Sequence, residues 1–485
     1  MQGGEFLNRR RLLQRAGGLI AAAFTTRVGR ADEPVSPTMI RLSTYMSEAA
    51  GRALPDEILE KTKHHILDTF AAMISGSTLL PGQVAIRYAR AHAGEKVATV
   101  AGCEVVCGAA DAALANGMLA HSDETDDYAP IGTHPGAAVV PGALATGEQF
   151  GIDGARFVRA VALGYDVASR VAVMLGGQHF NYDYHKSIHS VSGTFGSAAA
   201  GGCVAGLNAQ QMRWLLDYAA QEASGTAAWQ RDTQHIQKAF VFSGMPARAG
   251  VDAALLVQVG ATGVGDIFSG PDNFLLATAP KADPAILVDK LGERYDVTQT
   301  NIKKWTVGGP AQAALDALEA LLKRRPFEAD QVKQLTVRLG PIMGSVVNNR
   351  EMPDINVQHM LAVMLIDKTA SFAAAHDKPR MKDPAVLKQR AKIQLVYDKE
   401  IEKTAEAREA IVEVTLTDGT QLKEHITAVR GTAANPMTRE EVVAKCRDLV
   451  TPVLGAATTG KLVDRVLDLE KVKSLRELRP LLQRT

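Results

Sequence analysis

Hydrophobic positions recur at helical spacing over most of the first 290 residues. In LPDEILEKTKHHILDTFAAMI the apolar side chains between Ile58 and Ile74 fall every three or four residues, and Pro55 stands at a first-turn position. The stretches DGARFVRAVALGYDVASRVAVML and GTFGSAAAGGCVAGLNAQQMRWLLDYAAQEA continue this spacing. The second begins with small residues from Gly193 to Gly202, which allow close approach of a backbone or a ligand. The pattern predicts a large helical domain over residues 36–294.

Near residue 330 the helical spacing gives way to alternation. QVKQLTVRL reads as a strand, and REAIVEVTLTDGTQLKEHITAV alternates on both sides of Asp418 and Gly419, which predicts a β-hairpin. Further on, Thr438 and Glu441 have the spacing of a capping box at a helix start. The predicted fold class is therefore mainly α, with a large all-helical domain and a smaller α+β lid domain over 295–425. C-terminal helices over 426–485 return to the helical domain.

Length and composition agree with two globular domains. The 485 residues are 46% hydrophobic, which is enough for a sizeable core, and only 5% aromatic, which favours closely packed helices. The four cysteines are too few and too scattered for a disulfide framework and are interpreted as structural. They are Cys103, Cys107, Cys203 and Cys446.

The N-terminus has the order of an export signal. NRRRLLQRAGGLIAAAFTTRVGRADEP has a basic start with Arg9 and Arg10, an apolar stretch of about ten residues and a small-residue exit. We interpret residues 1–31 as a twin-arginine signal peptide, which predicts a periplasmic or secreted protein; a basic surface helix on a cytoplasmic protein is the alternative. Without residues 1–31 the net charge is about −4, so no nucleic-acid footprint is expected. No later run reaches membrane-spanning length, so no membrane is expected for the mature form.

Four carboxylates follow one apolar helix in HSDETDDYAPIGTHPG. If the helix continued, Asp123, Asp126 and Asp127 would share one face and could hold Mg²⁺. A prenyl or terpene synthase would need a second acidic motif and aromatic cavity walls, and the sequence has no clear sign of either. A solvated helix end remains the plain alternative for the carboxylates taken alone.

Histidines favour proton transfer in this region. His134 lies on a loop bounded by glycine and proline, where it has no packing role, and nearby carboxylates would orient its ring. His185 and His189 are four apart, but Lys186 replaces the glutamate of a zinc-protease motif. A helix start predicted at Ser192–Gly196 would offer free N–H groups to an anion.

Lysines that lie close to glycine-containing breaks in the helical pattern suit an anionic substrate. Lys238 lies in an apolar setting with Arg231 and His235 nearby, and Lys303 and Lys304 precede a Gly-Gly-Pro bend and a helix. Each ammonium group can pair with one carboxylate of a di- or tricarboxylate. Ordinary solvated lysines are the alternative.

Six segments in the same order resemble the MmgE/PrpD family, whose members include dehydratases, a decarboxylase and an epimerase of carboxylic acids. They are HSDETDDY…THP, GTFGSAAAG, KAFVFSGMPARAG, NIKKW…QAALDALEAL, HMLAVMLID and NPMTREEV. The resemblance covers residues 40–480. It implies a homodimer, an active site between the helical domain and the lid domain, and neither a metal nor an organic cofactor.

The resemblance also implies roles for individual residues. The residues expected to act in catalysis are His134, His189, Lys238, Lys303, Glu124 and Asp126. The residues expected to contact substrate are Asp123, Tyr128, His185 and His359. The acidic catalytic residue falls on Glu124, or on Asp123 with a shift of one position.

Several positions depart from the family pattern. Tyr128 replaces a common threonine, His359 replaces a lid tyrosine, and a histidine after the first lysine is replaced near Phe242. The second family histidine falls on His189 or His185 only with a local gap. These departures leave the substrate open.

The chemistry implied by the family is proton movement at a carbon next to a carboxylate. Loss of a hydroxyl gives dehydration, loss of CO₂ gives decarboxylation, and return of the proton to the other face gives epimerisation. We expect a 2-methylcitrate dehydratase-like hydro-lyase acting on a hydroxylated di- or tricarboxylate. The alternatives are an epimerase or isomerase, a decarboxylase, and a non-catalytic periplasmic carboxylate-binding protein.

Overall fold

The described residues build two hydrophobic cores. The computed structural model describes residues 34–401 and 408–484, and the predicted signal peptide lies outside them. One core joins residues from Met39 to Ile302 with residues from Met437 to Leu482, and the other holds residues from Trp305 to Val429. The second core therefore begins about ten residues after the predicted start of the lid domain at 295.

Helices fill the first core. Small residues dominate the α5–α6–α7 contact, where Gly164 packs against Val139 and against the Gly196 carbonyl. The longer helices of this part are α1 (Pro37–Glu48), α2 (Asp56–Gly76), α3 (Leu80–Ala91), α4 (Ala109–Ala120), α5 (Pro135–Phe150), α6 (Gly154–Met174), α7 (Ile188–Ala205), α8 (Ala209–Glu222) and α9 (Ile236–Gln258). The short α-helices here are His179–Asp183 and Phe274–Thr278, and a short two-stranded ribbon pairs β1 (Ala98–Thr99) with β2 (Val106–Cys107).

Helix α9 contains a turn of π-helix at Phe240–Gly244. Such turns occur often at functional sites because they redirect side chains within a continuous helix. Although the sequence predicts no run of membrane-spanning length, α9 is long and apolar enough to pass that test. Its apolar window is 67% buried inside the protein, as in a core helix.

The second core is a four-stranded sheet covered by helices. The strand order is β4-β3-β5-β6, with β3 parallel to β4 and the other pairs antiparallel. The elements are α10 (Gln312–Arg324), β3 (Val332–Leu339), α11 (Val357–Asp367), β4 (Ile393–Tyr397), β5 (Ala410–Leu416) and β6 (Gln421–Ile426). Shorter helices are Pro341–Val347, Phe372–His376 and Pro384–Arg390. The hairpin predicted around Asp418 and Gly419 is confirmed as β5 and β6.

After the sheet the chain returns to the helical core. Helix α12 (Arg439–Leu467) begins with the predicted capping box of Thr438 and Glu441, bends at Gly455 and packs against α2. The chain ends with the short helix Arg479–Leu482. Short 3₁₀ turns complete the described fold: Ala227–Arg231, Pro284–Val288, Asp296–Thr298, Gly309–Ala311, Ala329–Gln331, Pro353–Ile355, Pro379–Lys382, Leu469–Lys471 and Leu475–Leu478.

Candidate active site

A cavity of about 240 Å³ lies where the two cores meet, and histidines, lysines and one glutamate converge on it. Its lining residues are Glu124, Tyr128, Gly132, His134, Gln178, Tyr182, His189, Trp229, Lys238, Phe242, Lys303, Gly308, Gly309, Pro310, Ile342, Met343, Val346, Ile355 and Arg408. A larger groove of about 790 Å³ lies against α3, α4 and α9. Because its described lining has neither histidine nor lysine, the smaller cavity is the candidate active site.

The acidic loop, residues 121–128, is not helical. Helix α4 ends at Ala120, and the Asp123 carboxylate accepts hydrogen bonds from the Thr125 backbone N–H (2.9 Å) and hydroxyl (2.6 Å). A short aspartate side chain that bonds the backbone two residues on competes with helix formation. The helical face on which Asp123, Asp126 and Asp127 could have held Mg²⁺ is therefore not formed.

Asp126 anchors the cavity histidine. Its Oδ2 lies 3.1 Å from Nδ1 of His134 and 3.0 Å from Nδ1 of His121, and its Oδ1 lies 3.6 Å from Nζ of Lys303. Burial alone would raise the pKa of Asp126, but His121, His134 and Lys303 outweigh it and hold the pKa well below its usual value. Asp126 is therefore an ionised acceptor at neutral pH.

His134 is placed as a proton acceptor. Burial lowers its pKa, and the Asp126 charge only partly offsets this effect, so the ring is neutral at pH 7. Because Asp126 can only accept, the neutral ring donates through Nδ1 and keeps Nε2 unprotonated. His134 also precedes Pro135 at the start of α5, so a helix end fixes its backbone.

His189 lines the same cavity as His134. It lies in the first turn of α7, its ring stacks on Phe242 at 3.6 Å between centroids, and its centroid lies 5.6 Å from that of His134. Burial and then the charges of His134, His121 and Lys238 place its pKa well below the usual value. Nδ1 of His189 is buried with no hydrogen-bond partner among the described residues.

The structure does not support two other predictions for this segment. His185 is exposed, has a positive φ of 55° and does not line the cavity, so the geometry favours His189 over His185 for the predicted role. Helix α7 begins at Ile188 and not at Ser192, so the N–H groups of Ser192–Gly196 lie inside the helix. They are therefore not free to bind an anion.

The two lysines enclose Glu124. Nζ of Lys238 forms an ion pair with Oε1 of Glu124, and Nζ of Lys303 donates to the Glu124 carbonyl at 2.8 Å. Burial would raise the pKa of Glu124, but Lys238, Lys303 and the nearby histidines place it well below the usual value. The cavity therefore holds two lysine ammonium groups and an ionised glutamate beside two neutral histidines.

Tyr128 lines the cavity and is fixed by its backbone. Its N–H and carbonyl pair with Asn301 at 3.0 and 2.8 Å, which links the acidic loop to the segment that carries Lys303. Lys304 points elsewhere and pairs with Glu319 at 2.5 Å.

Asp123 and His359 do not line the cavity, so the structure does not support their predicted substrate contacts. Asp123 is buried against His376 of the sheet domain, at 2.9 Å. His359 is fully buried in α11, where burial lowers its pKa to about 4 and both ring nitrogens lack partners among the described residues.

Asp127 belongs to a buried network away from the cavity. Its carboxylate accepts hydrogen bonds from the Tyr165 hydroxyl (2.5 Å) and the Gly136 N–H (3.1 Å), and it lies 2.7 Å from Nδ1 of His65. The Gly136 contact satisfies a free N–H at the start of α5, the helix that follows His134.

Sequence reasoning assigned no role to several residues of the cavity and its surroundings. His121 contacts Asp126, while Trp229, Phe242 and Arg408 form walls. The helical spacing of Lys238 and Phe242 in the KAFVF segment is the signal that places both on one side of α9. Arg408 carries no comparable signal, because only the tertiary fold brings it to the cavity.

In the described part of the chain, two groups of side chains have donor atoms close enough to hold a metal ion. His121 groups with Asp126 and His134, and also with Glu124 and His235, with donor atoms within 4.8 Å of one another. Mixed imidazole and carboxylate ligands suit zinc or a similar transition metal better than Mg²⁺. Lys238 and Lys303 compete with a cation for both carboxylates.

Sequence models of the MmgE/PrpD N-terminal domain and the MmgE/PrpD C-terminal domain match residues 40–287 and 305–469. The chain belongs to the MmgE/PrpD family. The resemblance and the two-domain architecture predicted from the sequence are thereby confirmed.

Curated relatives of this MmgE/PrpD protein cover most of its length. The cis-aconitate decarboxylase of Homo sapiens is 26% identical over 455 residues, which are 89% of this chain and 91% of the relative. The cis-aconitate decarboxylase-like protein oryM of Aspergillus oryzae is 24% identical over 92% of this chain and 97% of its own. The Mus musculus cis-aconitate decarboxylase is 25% identical over 89% and 90%. These relatives are decarboxylases by name, so the matches support an enzyme of the lyase class at the level of the family.

Proposed function

We propose that this protein is a lyase that moves a proton at a carbon next to a carboxylate of a di- or tricarboxylate substrate. The observation that carries the proposal is the cavity in which His134, oriented by Asp126, faces His189 and two lysines. A neutral histidine with an unprotonated nitrogen is suited to accept a proton at pH 7. Two ammonium groups stabilise the enolate-like charge that develops on the carboxylate.

Glu124 has a second role in this scheme. In the free protein its carboxylate forms an ion pair with the Lys238 ammonium group. A substrate carboxylate that binds Lys238 takes the place of the Glu124 carboxylate, which then becomes a further proton carrier beside the substrate. Lys303 stays in place because it also pairs with Asp126 and the Glu124 carbonyl.

Dehydration is the first candidate reaction. His134 takes the proton from the carbon next to the carboxylate, and the electrons of that bond form a carbon–carbon double bond as the neighbouring hydroxyl leaves. His134 then hands its proton to the leaving hydroxyl, directly or through His189, so the sum of the reaction is loss of water. Microscopic reversibility allows the same groups to add water.

Decarboxylation is the second candidate, and the names of the curated relatives favour it. A carbon–carbon bond breaks, CO₂ leaves, and the electron pair that stays on the substrate takes a proton that His134 has first accepted from solvent, so the sum consumes one proton and releases CO₂. Epimerisation uses the same proton acceptor and returns the proton to the opposite face.

Proton exchange in D₂O tests the proposal. Incubation with a panel of hydroxylated and unsaturated di- and tricarboxylates, followed by NMR, is expected to show loss of the proton next to a carboxylate, with or without net conversion. The products then separate water loss, CO₂ loss and inversion. If no member of the panel exchanges, the proposed function is wrong, and a carboxylate-binding protein becomes the better explanation.

Treatment with chelators tests the expectation that the proton exchange needs no metal ion. Treatment with EDTA and then with a zinc-selective chelator is expected to leave the exchange rate unchanged. Loss of exchange that added Zn²⁺ restores would instead assign a metal to His121 and the carboxylates around it.

We also propose that the protein is exported through its twin-arginine segment, residues 1–31, and acts as a homodimer. Replacement of Arg9 and Arg10 by lysine is expected to retain the protein in the cytoplasm. Sedimentation of the mature chain is expected to give twice the monomer mass, and a single-chain mass would contradict the dimer.

A further inference from the structure

Arg408 is a third cation of the cavity, supplied by the sheet domain just before β5. Its guanidinium carbon lies 3.9 Å from the centre of the Tyr128 ring, and its side chain lines the cavity. Tyr128 belongs to the acidic loop of the helical domain and is held there by its pairing with Asn301. The contact therefore joins the two cores across the cavity.

Gly309 provides the space for this guanidinium. A Cβ atom at Gly309 would collide with Nη1 of Arg408, so a side chain at this position would exclude the arginine from its place. Gly309 also lines the cavity, beside Gly308 and Pro310. The aromatic ring on one side and the bare backbone on the other hold the guanidinium plane in a defined position.

Within residues 34–401 and 408–484, the charge on Arg408 differs from that of the lysines in having no counter-ion. Lys238 pairs with Glu124, and Lys303 lies 3.6 Å from Asp126. Among the described residues, by contrast, Arg408 has no ion pair and no hydrogen bond, only its contact with the ring. A guanidinium is always charged and presents a fork of N–H groups that matches a carboxylate. No carboxylate of the described residues therefore competes with a bound anion for Arg408.

We propose that Arg408, stacked on Tyr128 and seated against Gly309, is a specificity-determining residue that binds a substrate carboxylate held by neither lysine. This inference rests on the proposed function, because it takes the cavity as a carboxylate site. It also gives a reason for the tyrosine at position 128, which supplies the platform for the arginine.

Two inert probes that differ by one carboxylate test the subsite. Glutarate is a dicarboxylate, and tricarballylate is the same chain with a third carboxylate on its central carbon. Titration calorimetry on the wild-type protein is expected to give at least about tenfold tighter binding of tricarballylate, the value of one charge-assisted contact. In Arg408→Gln this preference is expected to fall to about threefold or less, while glutarate affinity changes little.

Two further variants control this result. Arg338→Gln removes an arginine of the same domain that pairs with Glu413 on the sheet and does not line the cavity, and it is expected to behave as wild type. Tyr128→Thr keeps the charge but removes the ring, and it is expected to weaken tricarballylate binding by about threefold to tenfold. Circular dichroism confirms that each variant is folded.

The outcomes separate this inference from the proposed function. A wild-type protein that binds both probes equally or binds neither, or an Arg408→Gln variant that keeps the preference, overturns the subsite, even if proton exchange is observed. If the preference for tricarballylate over glutarate depends on Arg408 but no substrate shows proton exchange, the subsite is supported and the proposed lyase activity is contradicted.

Discussion

Asp126 and Asp127 are neighbours in the chain, yet they belong to different parts of the molecule. Both are fully buried, and each contacts a histidine through Nδ1. Asp126 belongs to the cavity network, which consists of Asp126, His121, His134 and Lys303. Asp127 belongs to the scaffold network, which consists of Asp127, His65, Tyr165 and Gly136.

The difference lies in what surrounds each histidine. His134 lines the cavity, with 12% of its side chain exposed, whereas the side chain of His65 is 0% exposed and packs edge-on against the Tyr165 ring. A carboxylate–histidine pair therefore becomes reactive or structural according to whether the ring meets a space that a substrate can enter. The comparison predicts separate consequences for activity and for stability.

Replacement of His134 gives the largest expected effect. Because His134→Ala removes the proton acceptor and leaves Asp126 in place, turnover is expected to fall by about 10²–10⁴-fold. The midpoint of urea unfolding is expected to stay close to that of the wild type, since the ring borders a cavity. Steady-state kinetics and a urea titration measure both quantities. A variant with most of its turnover would remove His134 from the chemistry.

Replacement of Asp126 comes next. Asp126→Asn keeps the shape of the side chain but removes the charge that orients His134, and we expect turnover to fall by about 10²-fold, as for other groups that orient a reactive partner. Asp126 also compensates the buried Lys303, so a moderate loss of stability accompanies the loss of turnover. Equal kcat values for Asp126→Asn and the wild type would show that the two aspartates do not differ in function.

The pH profile sharpens the same contrast. His134 must be neutral to accept a proton, and burial lowers its pKa, so activity is expected to persist below pH 6.5 and to fall only as the pH passes that lowered value. The Asp126 charge raises the pKa of His134, so Asp126→Asn is expected to move the acid limb of kcat/KM to lower pH. An acid limb that moves to higher pH would contradict this arrangement.

Asp127→Asn is expected to act on stability. It leaves the Tyr165 hydroxyl, the Gly136 N–H or His65 without its acceptor, at a cost of about 2 kcal/mol in the free energy of unfolding. Turnover per folded molecule is expected to stay within about threefold of wild type. Denaturant titration and active-site-normalised rates test the two halves of the prediction. A large loss of turnover with unchanged stability would place Asp127 in the chemistry.

Tyr165→Phe gives the smallest effect. It removes one hydrogen bond to Asp127, worth about 1 kcal/mol, and keeps the ring that packs against His65. Turnover is expected to equal that of wild type across the pH range. A shifted pH profile in this variant would show that the scaffold network communicates with the cavity.

Local patterns predicted the elements that depend on neighbours in the chain. The hairpin at Asp418 and Gly419 and the capping box of Thr438 and Glu441 are set by turn and cap chemistry within a few residues. The helical continuation considered for the acidic loop is not formed, since Asp123 bonds the Thr125 N–H, and helical spacing alone does not show this bond. The choice between the helix and this local bond depends on tertiary contacts.

The candidate site was predictable where a motif or the family resemblance named its residues. His134, His189, Glu124, Lys238 and Lys303 do line one cavity. Partners such as His65 for Asp127, His376 for Asp123 and Arg408 for Tyr128 are distant in the sequence. Such contacts come from the packing of the two cores, which no local pattern encodes.

Lys445 of α12 holds the acidic loop from a part of the chain that follows all the cavity residues. Its ammonium group donates to the Thr125 carbonyl at 2.9 Å and pairs with Asp68 at 2.6 Å, so it clasps the loop that carries Glu124 and Asp126. Every residue that lines the cavity is made before residue 409. During synthesis the chain therefore contains every lining residue of the cavity before it contains Lys445, the residue that secures the acidic loop.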